Sequence, residues 1–551
     1  MPSDLDTSAA QTGLLSLGST PTADDVQLTA TSSPLWMVSI SLLIKLPESG
    51  WRERTLTGGG DGASALPASR IRATNPGKQP GRETAMGATD MADWDATETA
   101  AMIRSGAVSA IEVVDAAIAR AEALNPALNF IVTDDYARAR ERARGPLGDG
   151  PFAGVPYLIK DLDDFIGLPT RLGTRATAGL PVASRQSMLI AGMLATGLNP
   201  IGKSSTPEHG FLPTTEPPAF GPTRNPWDPG RSAGGSSGGA AAATAAHVVP
   251  FAHASDGGGS IRIPASCCGL FGLKTSRDRT LATDPGHFPM PLSVQLCVSR
   301  SVRDSAALLA AVEAKDSGLP PVGMVGGPSA RRLRIGLVLD SVSGQAPDPE
   351  VAHAIEDMAA LLAALGHRVE PTAWPAPIVG MNDAFLLTWS KGAANLLADT
   401  AERLGRAPGL DEVEPFSLAM ASIIVGAPDE AVDQAVAYLQ TLRGVHDAWM
   451  AEYDMILSPV LSLPPPEIGW LAPDLPVDAM AERLTRYVGY TTPYNVVGAP
   501  AMSVPGAWSA AGLPIGAQFG AAVGNEAALL ALAYEIEQAR PWVGRQPAVR
   551  A

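Results

Sequence analysis

The chain has 551 residues, of which 46% are hydrophobic and 17% charged, a composition typical of a globular protein that can bury a sizeable core. Its formal net charge of -16 at pH 7 argues against nucleic acid or an anionic membrane surface as the main partner. It has three cysteines, and two of them, Cys267 and Cys268, are adjacent. Neither a disulfide framework nor a CxxC metal site is expected, and the chain is predicted to be cytoplasmic.

The first 90 residues differ from the rest, because they are rich in Ser, Thr, Gly and Pro and show no sustained periodicity. One apolar patch, residues 34–46, has the length of a signal-peptide core, but aspartates precede it where a signal peptide carries positive charge. No apolar run approaches the roughly 20 residues that a membrane helix needs. We therefore predict a disordered extension over residues 1–90 and an ordered domain over residues 91–551.

Helix and strand signals alternate along the ordered domain. Asp95 is predicted to cap an early helix, a Ser109–Glu112 capping box begins the next one, and Asp348 with Pro349 begins a later one. The other predicted elements, in chain order, are a strand within 150–162, a helix at 187–196, a strand or loop at 199–205, an alanine-rich stretch at 240–246, a helix at 301–314, a strand at 333–340, a mostly helical region at 376–450, strands at 455–461, 499–505 and 514–520, and a helix at 525–539. This alternation predicts an α/β domain with a largely buried sheet.

A phosphate-loop pattern, GxxxxGK[ST], is matched by GLNPIGKS at residues 197–204. That motif binds phosphate only when a strand precedes the loop and a helix follows it. Here a helix is predicted before the motif, and prolines after it prevent a following helix. Lys203 is therefore predicted to be a structural lysine at a strand end.

A nucleophile-elbow pattern, GxSxG, is matched by GGSSG at residues 234–238, which places Ser236 at its centre. The elbow needs a strand immediately before it, and the segment TRNPWDPGRSA is not predicted to be one. The chain has histidines downstream of this serine, so a Ser-His-Asp arrangement stays open on composition; they are His287, His353, His367 and His446.

Three consecutive glycines stand directly before Ser260 in HASDGGGSIRIPASCCG. Backbone N–H groups without side chains can converge on one point, so the amides of Gly257 to Ser260 could hold the oxyanion that forms when Ser260 attacks a carbonyl. Residues 261–264 are predicted to continue as extended chain. Asp256 and Arg262 flank the serine and are predicted to form a local ion pair. The alternative is an ordinary glycine turn beside an exposed serine.

A nucleophilic serine also needs a base, and Lys160 ends a predicted buried strand, GVPYLIKDL. Burial disfavours the charged form of a lysine, so such a side chain can be neutral near pH 7. The alternative is a structural ion pair between Lys160 and one of Asp161, Asp163 or Asp164.

These stretches together resemble the amidase signature family over roughly residues 93–545, most densely between residues 234 and 276. The resemblance implies a single α/β domain built around a large, mostly parallel, twisted central sheet flanked by helices. FAGVPYLIKDL, PPPEIG and ARPWVGRQP look like the branch of 6-aminohexanoate-cyclic-dimer hydrolases, which implies a neutral linear, cyclic or aryl amide as substrate.

The resemblance also assigns roles to individual residues. Lys160 matches the lysine of the family's triad, Ser236 the serine that follows a cis peptide, and Ser260 the nucleophile. The backbone amides of Gly257, Gly258, Gly259 and Ser260 match the oxyanion hole. The family often has Thr or another residue with a Cβ where Gly257 stands, and this departure leaves the substrate preference open.

We therefore expect an amidase that forms an acyl-enzyme on Ser260 and acts on a small-molecule amide. No metal, nucleotide or flavin is implied, neither nucleic acid nor membrane is an expected partner, and a homodimer is left open. Three alternatives remain: a Ser-His esterase that uses Ser236, a glutaminase-type subunit of a tRNA-dependent amidotransferase, and a non-catalytic binding module.

Overall fold

The computed structural model describes residues 27–29, 41–43, 90–283 and 286–551. The chain divides into two compact units, Met1–Gly87 and Ala88–Ala551. In the first unit the described residues form one antiparallel pair, β1 (Gln27–Thr29) with β2 (Ser41–Leu43). The rest of the predicted extension over residues 1–90 lies outside the described residues, apart from Asp90, and its disorder stays a prediction.

The second unit contains all of the helices that the structure describes and the remaining strands. The helices are α1 (Asp90–Asp93), α2 (Ala96–Arg104), α3 (Ala110–Leu128), α4 (Tyr136–Arg144), α5 (Met188–Ala195), α6 (Gly238–Ala245), α7 (Arg262–Cys268), α8 (Val302–Val312), α9 (Pro349–Ala364), α10 (Ala376–Val379), α11 (Asn382–Leu404), α12 (Pro415–Ser422), α13 (Asp429–Trp449), α14 (Val477–Tyr487), α15 (Thr492–Val496) and α16 (Glu526–Ala539). The strands are β3 (Ile131–Asp134), β4 (Pro156–Lys160), β5 (Asn199–Ser204), β6 (Arg224–Asn225), β7 (Asp228–Ser232), β8 (Phe251–Asp256), β9 (Phe271–Lys274), β10 (Val294–Ser299), β11 (Arg334–Leu337), β12 (Arg368–Pro371), β13 (Met455–Pro459), β14 (Ala501–Trp508) and β15 (Pro514–Ala521).

Local capping signals correctly placed three helix starts. Asp95 accepts a hydrogen bond from the Glu98 amide at 2.9 Å at the start of α2, and both bonds of the Ser109–Glu112 capping box are present at the start of α3. Asp348 caps α9, and Pro349 occupies its first turn. These bonds satisfy amide groups that have no acceptor within their own helix, which explains why the sequence signals were reliable.

The central sheet has eight strands in the order β12-β11-β13-β15-β14-β9-β10-β8. The α/β prediction is confirmed, but the sheet is mixed rather than mostly parallel. Only β11 pairs in parallel, with β12 and β13, and the other five neighbouring pairs are antiparallel. Alternating helices and strands predict a layered domain but not strand direction. Short connections such as the turn between β14 and β15 reverse the chain without a crossover helix.

A second sheet of three strands carries both buried lysines of the predicted motifs. Its order is β3-β5-β4, with β4 parallel to β5, and Lys160 is the last residue of β4. Lys203 lies inside β5, and the next element is a three-residue 3-10 helix, Glu208–Gly210, rather than an α-helix. The phosphate-loop pattern is therefore a strand, as its context predicted.

A third sheet, of two strands, shows that the prediction of no strand before GGSSG is wrong. The segment before GGSSG does contain a strand, because β7 pairs antiparallel with β6. Pattern analysis missed it because DPGRS contains no β-branched or aromatic residue, and only the tight pairing with β6 makes it extended. Ser236 thus lies in a turn between a strand and helix α6, which is the context that a nucleophile elbow requires. The hydrogen-bond partners of Ser236 must therefore distinguish a nucleophile from another role.

The small and large sheets are joined beside the predicted site. The Lys160 amide donates to Nδ1 of the His253 side chain on β8 at 3.2 Å, and the other ring nitrogen of His253 bonds Gln295 on β10 at 3.0 Å. Both strands β4 and β8 are fully buried in the main hydrophobic core. None of the helices in the described ranges combines the length and apolarity that crossing a bilayer requires.

Candidate active site

Lys160 is completely buried and bonded to two hydroxyl groups. Its Nζ donates to Oγ of Ser236 at 2.7 Å and to Oγ of Ser255 at 2.9 Å. Burial lowers the pKa of Lys160 to about 7, although the more distant Asp163 and Asp256 favour its charged form. A large fraction of this lysine is therefore neutral at physiological pH and can accept a proton.

The three nearby aspartates that could have neutralised Lys160 are each bound elsewhere. Asp161 pairs with the buried Lys203 at 2.9 Å, Asp163 accepts from Gln295 Nε2 at 2.9 Å, and Asp164 accepts from Thr170 Oγ1 at 2.6 Å. Among the described residues no carboxylate lies within ion-pair distance of Lys160. The structural ion pair considered for Lys160 is thus absent from this part of the chain, and Lys203 is the structural lysine.

Ser236 occupies a tight turn between β7 and α6. The peptide bond between Gly235 and Ser236 is cis, and the Ser236 side chain is buried against Lys160. A Cβ on Gly235 would lie 2.5 Å from the carbonyl oxygen of Thr214, so only glycine fits beside this peptide. On the other side, a Cβ on Gly210 would lie 3.2 Å from Ser236 Oγ. The surrounding backbone therefore fixes the position of the hydroxyl.

Ser260 lies in the loop between β8 and α7 and is half-buried. Within the described ranges its hydroxyl has no hydrogen-bond partner, and the amides of Gly258, Gly259 and Ser260 have no protein acceptor. The loop thus presents one free hydroxyl and several free donors close together. Lys160 and Ser236 are in direct contact. Ser260 follows β8, the strand that carries Ser255, the other hydroxyl partner of Lys160.

The chain after Ser260 is helical, so the prediction of an extended segment over residues 261–264 is wrong. Ile261 already has α-helical backbone angles, and α7 begins at Arg262. The sequence Ile-Arg-Ile-Pro favoured a strand, but Pro264 fits the first turn of a helix, where its missing N–H would have had no acceptor. The amides of Ile261 and Arg262 instead meet the Asp256 carboxylate at 3.2 and 3.5 Å.

The predicted ion pair between Asp256 and Arg262 is present and fully buried. The guanidinium donates to both carboxylate oxygens at 2.9 Å, and it also meets Gln518 Oε1 at 2.8 Å and Asn495 Oδ1 at 2.7 Å. Burial opposes ionisation of Asp256, but Arg262 outweighs it and holds the pKa of that carboxyl well below its usual range. The pair clamps the two ends of the glycine loop to each other.

Gly259 and Thr491 fix the middle of the loop. Gly259 has a φ of 140°, and a Cβ there would lie 2.5 Å from Thr491 Oγ1 and 2.6 Å from Ile263 Cδ1. Thr491 Oγ1 donates to the Gly258 carbonyl at 2.6 Å, which turns the adjoining amides away from it. At Gly257, by contrast, a Cβ would meet Trp389 at an ordinary contact distance of 3.5 Å. The glycine is therefore required at position 259 and not at position 257.

Comparison with known proteins shows the family to which this chain belongs. The profile of the family described as Amidase matches residues 112–530. The AmiC protein of Mycobacterium tuberculosis is 41% identical over 457 residues, which cover 82% of this chain and 96% of AmiC. The chain belongs to the amidase family. It is a hydrolase of carbon–nitrogen bonds other than peptide bonds.

Two further comparisons place this amidase near one group of relatives. The 6-aminohexanoate-cyclic-dimer hydrolase of Paenarthrobacter ureafaciens is 38% identical over 485 residues, with 82% of this chain and 96% of that protein covered. The solved structure of a 6-aminohexanoate cyclic dimer hydrolase complexed with substrate aligns with a TM-score of 0.77 at 35% identity, covering 84% of this chain and 100% of that chain. The resemblance predicted from the motifs is confirmed.

Three of the four histidines considered for a Ser-His-Asp arrangement contact groups other than the two serines. His367 bonds the Leu333 amide and Glu535, and His287 lies 3.8 Å from Asp399. His446 lies against Tyr494, with ring centroids 6.1 Å apart. In the described part of the chain no histidine side chain forms a hydrogen bond with Ser236 or Ser260.

Sequence analysis missed two residues that shape the site. Ser255 is the second partner of Lys160, and it lies two residues from His253, so both face β4 from the same side of β8. Reading HASD as a strand would have revealed this pair. Thr491 comes from a distant part of the chain, and no local pattern marks it.

The loop geometry predicts opposite outcomes at two neighbouring glycines. We expect Gly259→Ala to lower kcat/KM by about a hundredfold or more, because a shift of about 1 Å in a catalytic loop can cost that much. Gly257→Ala should retain most activity, because its Cβ meets Trp389 without overlap. Steady-state kinetics on one hydrolysed amide would check both. Equal activities of the two variants would contradict the role assigned to the Thr491 contact.

Proposed function

We propose that this amidase hydrolyses neutral carboxylic amides through an acyl-enzyme on Ser260, with Ser236 as proton relay and Lys160 as base. The observation that carries the proposal is the 2.7 Å hydrogen bond between Lys160 Nζ and Ser236 Oγ, formed by a buried lysine that has no carboxylate partner in the described residues. A neutral amine in contact with a hydroxyl is the arrangement that activates a serine without histidine.

In the acylation step, Ser260 Oγ attacks the amide carbonyl carbon and its proton passes to Ser236 Oγ. The Ser236 proton passes in turn to Lys160 Nζ, so the lysine becomes an ammonium group. The carbon–nitrogen bond then breaks, and the proton returns through Ser236 to the leaving nitrogen, which departs as an amine. Water attacks the resulting ester with the same relay as base and releases the carboxylic acid and free Ser260.

The negative charge that develops on the carbonyl oxygen is held by the loop amides from Gly257 to Ser260. These donors are fixed before the reaction by the clamp between Asp256 and Arg262 and by the Thr491 bond. Preorganised donors of this kind need no rearrangement as charge forms, and removing one such donor typically costs 10²–10³-fold in kcat.

The proposed substrate is a small neutral amide, either linear, cyclic or aryl. Relatives named for cyclic-dimer hydrolysis support this class, and so does the apolar surrounding of the loop. The Ser-His esterase alternative needs a histidine in contact with Ser236, and the described residues contain none. An assay with glutamine as substrate distinguishes the glutaminase alternative from an amidase that acts on other amides. A cytoplasmic location, the absence of nucleic-acid and membrane partners, and a homodimer stay predictions.

Two buried lysines provide a matched test of the proposed base. Lys160→Met should cut kcat/KM by at least about 10²–10⁴-fold, because both proton transfers pass through this amine. Its melting temperature should fall less than that of Lys203→Met, since only two hydroxyl groups and no buried carboxylate lose a partner. Lys203→Met should instead destabilise the fold by about 3–5 kcal/mol, because Asp161 is left buried and unpaired. An active Lys160→Met enzyme would refute the proposed base.

The pKa of Lys160 predicts the direction of the pH dependence. Below about pH 7 the lysine is protonated and cannot accept a proton, so kcat/KM should rise as pH increases through about 7 and then level off. His209 and His253, which lie beside the site, do not produce this rise, because burial lowers the pKa of His209 to about 4 and also lowers that of His253. A profile that is flat between pH 5.5 and 8.5 would contradict the assignment.

A further inference from the structure

Two half-buried aromatic rings, Trp389 and Phe385, lie against the glycine loop, and a third, Phe288, packs against Trp389; the three are called here the aromatic wall. A Cβ on Gly257 would lie 3.5 Å from Trp389 Cη2, and one on Gly258 would lie 3.8 Å from Phe385 Cζ. Both glycines carry amides assigned to the oxyanion hole. The wall is therefore adjacent to the position that the scissile carbonyl would occupy.

The rings of the wall hold one another in place. Trp389 has ring centroids 4.7 Å from Phe288 and 5.3 Å from Phe385, and the buried Phe211 lies behind it at 6.2 Å. Phe385 and Trp389 are one helical turn apart on α11 and share a face of that helix. Such packing fixes ring orientation before a ligand arrives.

Helix α11 has a glycine, Gly392, where the ring of Phe288 packs against it. A Cβ on Gly392 would lie 2.2 Å from Phe288 Cδ1, so the ring occupies the space that a side chain would need. Apolar side chains pack around the wall, among them Leu386, Leu396 and Met420. The wall therefore offers flat apolar surface beside the loop.

We propose that the aromatic wall is the specificity site of this enzyme and selects amides that carry a planar apolar substituent, such as a phenyl ring, on either side of the scissile bond. Aromatic rings pack best against other aromatic rings in offset or edge-to-face arrangements, and burial of an apolar ring beside the loop removes its surface from water. An anionic substituent would lose its hydration there, because the faces of aromatic rings do not stabilise negative charge. This inference rests on the proposed function of Ser260.

Variants of the wall test the proposal with four substrates: benzamide, acetanilide and their non-aromatic counterparts acetamide and N-methylacetamide. In the native enzyme kcat/KM should favour at least one aryl amide over its counterpart. Trp389→Ala should lower kcat/KM for that aryl amide by about tenfold or more, mainly through KM, because apolar contact area is lost. The same variant should change the counterpart far less, and Trp389→Phe should restore most of the preference.

Two further variants separate loss of the wall from loss of the fold. Gly392→Ala keeps every aromatic residue but displaces Phe288, so it should also reduce the aryl preference. Tyr438→Ala removes a half-exposed ring on α13, whose hydroxyl bonds the Pro377 carbonyl, and should leave the preference unchanged. An equal loss for aryl and non-aryl amides in Trp389→Ala would overturn the proposal, as would a native enzyme without aryl preference.

Binding measured without turnover distinguishes failure of the wall from failure of the proposed function. Calorimetric titration of Ser260→Ala with the preferred aryl amide should show binding that weakens about tenfold when Trp389→Ala is added, since ligand contact area is lost whether or not Ser260 reacts. If Ser260→Ala keeps the hydrolytic activity, the proposed role of Ser260 is wrong, while the effect of Trp389→Ala on binding still tests whether the aromatic wall binds the aryl group. Equal binding affinity with and without Trp389 would refute the proposed role of the aromatic wall alone.

Discussion

The proposed chemistry of this protein depends on one buried amine, Lys160, whose side-chain hydrogen bonds among the described residues all go to hydroxyl groups. Burial disfavours the charged form of a lysine, and a carboxylate partner normally stabilises that form again. Here Lys203 has such a partner in Asp161, whereas Lys160 meets Ser236 and Ser255. The two lysines lie on neighbouring strands, yet Lys203 is held in an ion pair and Lys160 is the proposed base. The difference follows from which aspartates are already engaged.

A buried ion pair holds the glycine loop in place. Asp256 and Arg262 stand at the two ends of the glycine loop, and each of them also binds elements from the C-terminal part of the chain. Glycines would leave this loop mobile if nothing fixed it, because they lose the most backbone freedom on folding. The ion pair and the Thr491 bond offset that cost and leave the loop amides without internal acceptors. The backbone amides of a glycine-rich segment are thus held in fixed positions as hydrogen-bond donors.

Local signals predicted the parts of the molecule that depend on neighbours in sequence. Asp95, Ser109 and Asp348 were correctly placed as caps, and Lys160 was correctly placed at the end of a buried strand. Contacts between distant segments could not be predicted. Strand direction, the pairing that makes β7 extended and the Thr491 bond all depend on residues far apart in the chain. The helix after Ser260 was missed because Asp256, rather than a usual capping residue beside it, satisfies its first amides.

Covalent labelling tests the central claim, that Ser260 is the nucleophile and Ser236 a relay, most directly. The native enzyme would be treated with a fluorophosphonate, digested, and its modified peptide identified by mass spectrometry. We expect a single modification on Ser260, its absence from Ser260→Ala, and unchanged circular dichroism of that variant. A label on Ser236, or one that persists in Ser260→Ala, would show that Ser260 is not the nucleophile.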